Sequence, residues 1–240
     1  MCYLAMEAPA VQQKHSRIQV LKKIIRMIAK ASESTAQDDQ EAAEQLLTDL
    51  KGTYQELWPV ILADEYNQLW LDDSAAIVGD DNAEAAVGKK CLLGKPEPLP
   101  AKRQWRPIKM EIWHMTATFL QDVDQFTFDG TTISGSDKDG KELFKHTYHY
   151  EGMEKTRGLY IYESDDADSG EFTYFCIAPD TMDTTWHIEF RYGSDLDALG
   201  QYDAGDYAYW LAAGISTDYT QEDIENCIQL FCTENLSEAE

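Results

Sequence analysis

Apolar residues fall at helical spacing near both ends of this 240-residue chain and alternate with polar ones in between. Ile18, Leu21, Ile25 and Ile28 join Val20, Ile24 and Met27 in one broad apolar arc. Lys22, Lys23, Arg26 and Lys30 lie opposite, a pattern that predicts a basic amphipathic helix over 17–30. The small polar residues 31–41 read as a linker or helix cap. A short helix is expected over Ala42–Leu50, and Pro59 suits the first turn of another running through Leu62, Tyr66 and Leu69. Residues 72–90 are rich in Asp, Ala and Gly without clear period and read as loop and weak helix. Pro96, Pro98 and Pro100 make a stiff lead-in.

From Ile108 the period becomes two, with Ile112, His114 and Thr116 on one face and Glu111, Trp113 and Met115 on the other. Strand-like runs follow at 125–128, 131–134, 143–150, 159–163 and 172–179. A last run puts Thr185, His187 and Glu189 on one face and Trp186, Ile188 and Phe190 on the other. Asp129-Gly130, Asp139-Gly140 and Ser169-Gly170 are turn signals between them. Strands joined so tightly predict a mainly β fold, an antiparallel barrel with flanking helices. A capping box at Thr220–Asp223 opens a closing helix whose inner face is Ile224, Cys227, Ile228 and Phe231. The organisation expected is a basic helix and linker, 1–41, ahead of a barrel domain, 42–240.

Charge sharpens this division. Lys14, Arg17, Lys22, Lys23, Arg26 and Lys30 against Glu7 give the first thirty residues +5, so the total of −24 leaves −29 on residues 31–240. Such a surface repels phosphates and excludes nucleic acid as a partner of the main domain. The basic helix is expected to dock on this acidic domain, a second copy, a partner or a membrane surface. No apolar run is long enough for a transmembrane segment, and no secretory h-region is visible, which leaves a cytoplasmic location as the expectation. Five cysteines without a C-x-x-C pair predict reduced, mostly buried thiols.

Candidate chemistry is sparse. Asp137–Gly140 and Asp166–Gly170 lack the ligand spacing of a calcium loop and read as hairpin turns. His146 and His149, three apart on one strand, point to opposite faces. No nucleophile elbow, phosphate loop or zinc-protease helix is present, so a binding protein is expected and not an enzyme.

Five segments, in order, resemble the ZinT family of bacterial zinc-handling proteins: GTYQELWPVI, FKHTYHYEGME, FTYFCIAP, WHIEF and YAYWLAAGISTDYTQEDIENCI. The resemblance runs from about Leu47 to Leu236. It implies a calycin, or lipocalin-like, barrel, an exported relative, and zinc held inside the barrel by three histidines. One histidine precedes the Ile-Ala-Pro turn and two form a His-x-His on the next strand. Carried over, His187 keeps the second of that pair, Thr185 occupies the first and Phe175 stands for the one before the turn. The family's His/Asp-rich loop is missing. Neither a hydroxyl nor a phenyl ring replaces an imidazole at ~2.0–2.1 Å from zinc. The resemblance therefore implies a degenerate site for zinc or a similar divalent ion, with His187, Glu189 and His114 as the candidate metal ligands. The other reading is a calycin that has lost the metal and serves as an interaction module or binds a small ligand. Phe175, Trp186 and Trp113 would line its apolar cavity.

Overall fold

A computed structural model describes residues 36–93 and 117–237. The helix expected over 17–30, the proline lead-in and the alternating stretch up to residue 116, His114 included, lie outside the described residues. The chain divides into compact units at Met1–Ala42 and Ala43–Glu240, and the barrel belongs to the second.

Eight strands form a closed antiparallel barrel in sequence order: β1 (Gly52–Glu56), β2 (Gln125–Asp129), β3 (Thr132–Ser136), β4 (Glu142–Met153), β5 (Tyr160–Ser164), β6 (Tyr174–Ile177), β7 (Ile188–Gly193) and β8 (Ala212–Ser216). β8 closes on β1 through Tyr54↔Ser216, Gln55↔Ile215 and Glu56↔Gly214, so no strand of the barrel presents an unpaired edge. The tight connections have the chemistry the sequence predicts. Gly130 takes φ 64° between β2 and β3. At the next hairpin the Asp137 carboxylate accepts the Asp139 and Lys141 N–H groups, each at 2.9 Å.

The period-two pattern sends Tyr54, Phe126, Phe128, Tyr148, Tyr162, Phe175, Phe190 and Tyr192 inward, where all are essentially fully buried. Phe126 lies at their centre. The rings of Phe119, Phe144, Phe175, Phe190 and Tyr192 surround it at centroid distances of 4.8–6.0 Å, mostly edge to face. Helix α1 (Ala36–Asp49) adds Ala43, Leu46 and Leu47 to this cluster. The Tyr162 hydroxyl donates to the Ala43 carbonyl at 2.8 Å, and that of Tyr54 to Leu50 at 2.9 Å. The interior is thus a packed aromatic core.

A second apolar layer covers the outer face of β8. It is built from α2 (Leu57–Ile61), α3 (Asn67–Val78) and α4 (Asp80–Leu93), with α5 (Met182–Thr185) and α7 (Gln221–Leu236) from the far end of the chain, whereas α6 (Leu196–Leu199) adds Leu199 to the first cluster. Leu57, Ile61 and Trp70 meet Ile224, Cys227, Ile228 and Phe231 over Ala213 and Ile215. The expected capping box opens α7: Thr220 Oγ1 accepts the Asp223 N–H at 3.2 Å, and Asp223 Oδ2 accepts the Thr220 N–H at 2.8 Å. Where loop and weak helix were expected, over 72–90, α3 runs on to Val78 and α4 follows it, with a break at Gly79, φ 83°. Alanine's high intrinsic propensity needs no apolar period to form a helix, and α3 gains a tertiary partner in α7.

Candidate metal centre

The segment between β6 and β7 positions the residues singled out in the sequence. Thr181 and Thr184 make reciprocal contacts that open α5, and Trp186, in a left-handed conformation at φ 59°, ends it. β7 therefore starts at Ile188. Thr185, expected on a strand beside His187, is the last residue of a helix, and its hydroxyl donates to the His187 carbonyl at 2.9 Å. Alternating polarity could not distinguish a strand from this single helical turn, because the threonines that favour strands also build the cap.

The register fixes which side of the wall each candidate occupies. Ile188 pairs with Gly214, whose neighbours are Tyr54 and Phe119 of the interior. Glu189 pairs with Ala213, which belongs to the outer helical layer. His187 and Glu189 consequently face outward beneath α7, whereas Phe175, paired with Tyr192, faces inward. The interior position that the resemblance implies for a metal is filled by rings. Cys176 faces away from Phe175, as expected, and burial pushes its thiol up to about 12 despite the opposing Arg191 charge.

His187 is 5% exposed. Its ring lies 5.0 Å from that of Phe231, centroid to centroid, and its Nδ1 is 3.8 Å from Cys227 Sγ. Nδ1 also stands 2.6 Å from the Thr185 carbonyl oxygen. A carbonyl only accepts, so Nδ1 carries the proton and donates it there. The other nitrogen, Nε2, is left facing Glu189 Oε1 at 3.7 Å, beyond hydrogen-bonding distance.

Two further carboxyl groups feel this pair. Desolvation, and then the negative charge of Glu189, raises Asp180 above the usual carboxylate range, with His187 opposing. Glu234 is exposed as a residue, yet its carboxyl is pushed up to about 7 by desolvation first and by Glu189 second. Desolvation would lower His187 and raise Glu189, but their contact reverses both. Cys227 and Glu189 lift the imidazole well above 6.5, and the imidazole, with Arg157, holds Glu189 low. Carboxyls from a turn, a strand and a helix thus share the electrostatic field of one imidazole. Neither Asp180 nor Glu234 was legible as a candidate, because their relation to His187 depends on α7 packing beside α5.

His146 and His149 lie apart, each on its own carboxylate: Asp166 at 2.8 Å and Asp165 at 2.6 Å. No helix among the described residues is long and apolar enough to cross a membrane.

The class of fold is a closed eight-stranded antiparallel β-barrel with flanking helices, consistent with a calycin or lipocalin-like barrel. No family model and no curated protein matches the sequence. Among solved structures, the chain is similar to the Zn(II)-bound ZinT-like domain of Streptococcus pneumoniae AdcA. The identity is 16%, the match covers 80% of this chain and 90% of that one, and the TM-score is 0.46. It is also similar to Zn(II)-bound AdcA from the same organism, at 16% identity and a TM-score of 0.44, where it spans only 35% of that longer chain.

Proposed function

We propose that this protein binds a divalent cation, zinc or a similar ion, through His187 Nε2 and Glu189, and that it is not an enzyme. The observation carrying this reading is the orientation of His187. The Thr185 carbonyl ties Nδ1 at 2.6 Å, and Nε2 is aimed at a carboxylate oxygen 3.7 Å away. Two ligands at ~2.05 Å from a tetrahedral zinc stand roughly 3.3 Å apart, so a small side-chain shift admits the ion. A backbone acceptor on the far nitrogen is the usual arrangement for a ligating imidazole. One imidazole and one carboxylate make a weaker set than three imidazoles, which fits an altered site. Zinc must displace the proton that His187 retains in its absence, so affinity falls as the solution is acidified.

Calorimetric titration of chelator-stripped protein with Zn²⁺ tests this. His187→Ala and Glu189→Gln are each expected to weaken binding at least tenfold at neutral pH, the second without disturbing a buried ring. Affinity unchanged in both variants would overturn the assignment. The alternative of a small-ligand cavity gains no support from an interior filled by Phe126, Phe175, Phe190 and their neighbours.

A further inference from the structure

On the outer surface of the barrel, away from α7, three strands assemble a different group. His149 of β4 pairs directly with Glu163 of β5, and Glu163 pairs in turn with Tyr174 of β6. The β4–β5 register shifts between Tyr150 and Gly152. Glu151 is therefore an extra residue in the ladder, and bulges of this kind re-aim a side chain. The result is that His149, Glu151 and Glu163 each offer a ligand atom within 4.8 Å of the other two.

The supporting contacts matter more than the acidity, since acidic groups are common on a chain with a net charge of −24. Asp165 Oδ1 lies 2.6 Å from His149 Nδ1. A carboxylate there accepts a hydrogen bond from Nδ1–H, which keeps the proton on Nδ1 and leaves the Nε2 lone pair on the opposite edge of the ring. Nε2 stands 3.6 Å from Glu151 Oε2. The Tyr174 hydroxyl donates to Glu163 Oε1 at 3.3 Å and steadies the third ligand. Each ligand thus has its own route to being held: a carboxylate behind the imidazole, a phenol on one glutamate and a bulge beneath the other.

We infer that His149, Glu151 and Glu163 form a second divalent-cation site, open to solvent and distinct from the His187 centre. One imidazole nitrogen and two carboxylate oxygens, completed by water, suit Zn²⁺, Co²⁺ or Mn²⁺ in preference to Ca²⁺, which takes oxygen ligands alone. The site is exposed, so its ion is held more weakly than a buried one and exchanges directly with the medium.

The experiment is a Zn²⁺ titration of the chelator-stripped full chain carrying His187→Ala, with excess Mg²⁺ to mask non-specific acidic groups. That background removes the centre proposed above, so either proposal can fail without the other. One saturable binding event is expected to remain. Adding His149→Ala should abolish it, and Glu151→Gln or Glu163→Gln should weaken it at least tenfold. These side chains are exposed or half-buried, so the variants keep the fold. In parallel, the ¹⁵N resonance of His149 Nε2 should move as Zn²⁺ is added. Binding unaltered by His149→Ala would overturn the site. So would an Nε2 signal that does not move at saturating Zn²⁺.

Discussion

The side of the barrel wall separates the two chemistries of this molecule, because residues along β6, β7 and the segment between them face either a core of rings or a layer of helices. Phe175 and His187 illustrate it. The family pattern suggests both as corners of one site, yet the first packs against Phe126, Tyr148, Phe190 and Tyr192 inside, and the second under Phe231 outside. Phe175→His is therefore expected to cost about 2–5 kcal/mol, for it removes a ring from the core and buries an imidazole without a partner. It should leave zinc affinity unchanged. Urea unfolding and calorimetry together check this, and a tenfold gain in affinity would show that the two positions converge after all. Arg191 shows the opposite economy. Fully buried on the outer face of β7, it donates to the carbonyls of Leu199 and Tyr207 and lies over the Tyr202 ring at 4.3 Å. A charge so placed is tolerated because main-chain oxygens receive it.

At the scale of elements, close packing sets the limits on substitution. A Cβ on Gly135 of β3 would lie 2.4 Å from Phe144 Cε1. Phe144 cannot retreat, since it stacks on Phe172 at 3.8 Å with planes 11° apart. Gly135→Ala should destabilise by about 1–3 kcal/mol in denaturant melts, and a neutral result would mean the ring has room to move. β2 to β7 and α7 were legible because their patterns repeat: Phe126 and Phe128 alternate with Gln125 and Thr127, and Ile224, Cys227, Ile228 and Phe231 recur at helical spacing. β1 and β8, which close the barrel, were not read as strands; Ala212–Ser216 has no polar alternation to mark it. What stayed hidden was non-repetitive. The turn of helix at Met182–Thr185 hangs on one cap and one left-handed residue, and α4 hangs on alanine propensity. The partners of His187 were hidden for another reason, namely that they are joined by tertiary packing, which no local period encodes.

For the whole molecule, the crowding of acids makes stability depend on pH. His187 and Glu234 both titrate higher folded than their ordinary values of 6.5 and 4.5. Their contribution is fully present below those ordinary values and is lost as pH rises through the folded ones, about 7 for Glu234. Glu189, shifted down, contributes above its ordinary 4.5 and loses that on acidification. The metal-free protein should therefore melt lower at about pH 8.5 than at about pH 6, and Glu234→Gln should flatten the decline. Zn²⁺ should restore the alkaline melting point by binding the folded state alone. A decline identical in wild type and Glu234→Gln would assign the effect to the diffuse repulsion of a −24 chain instead.

The aromatic plug also decides how cargo would travel. Among the described residues the interior is filled by rings, so an ion held against the outer wall would not have to wait for the staves to part. On the proposed reading, an ion would be taken up and released at the outer wall without passing through the interior.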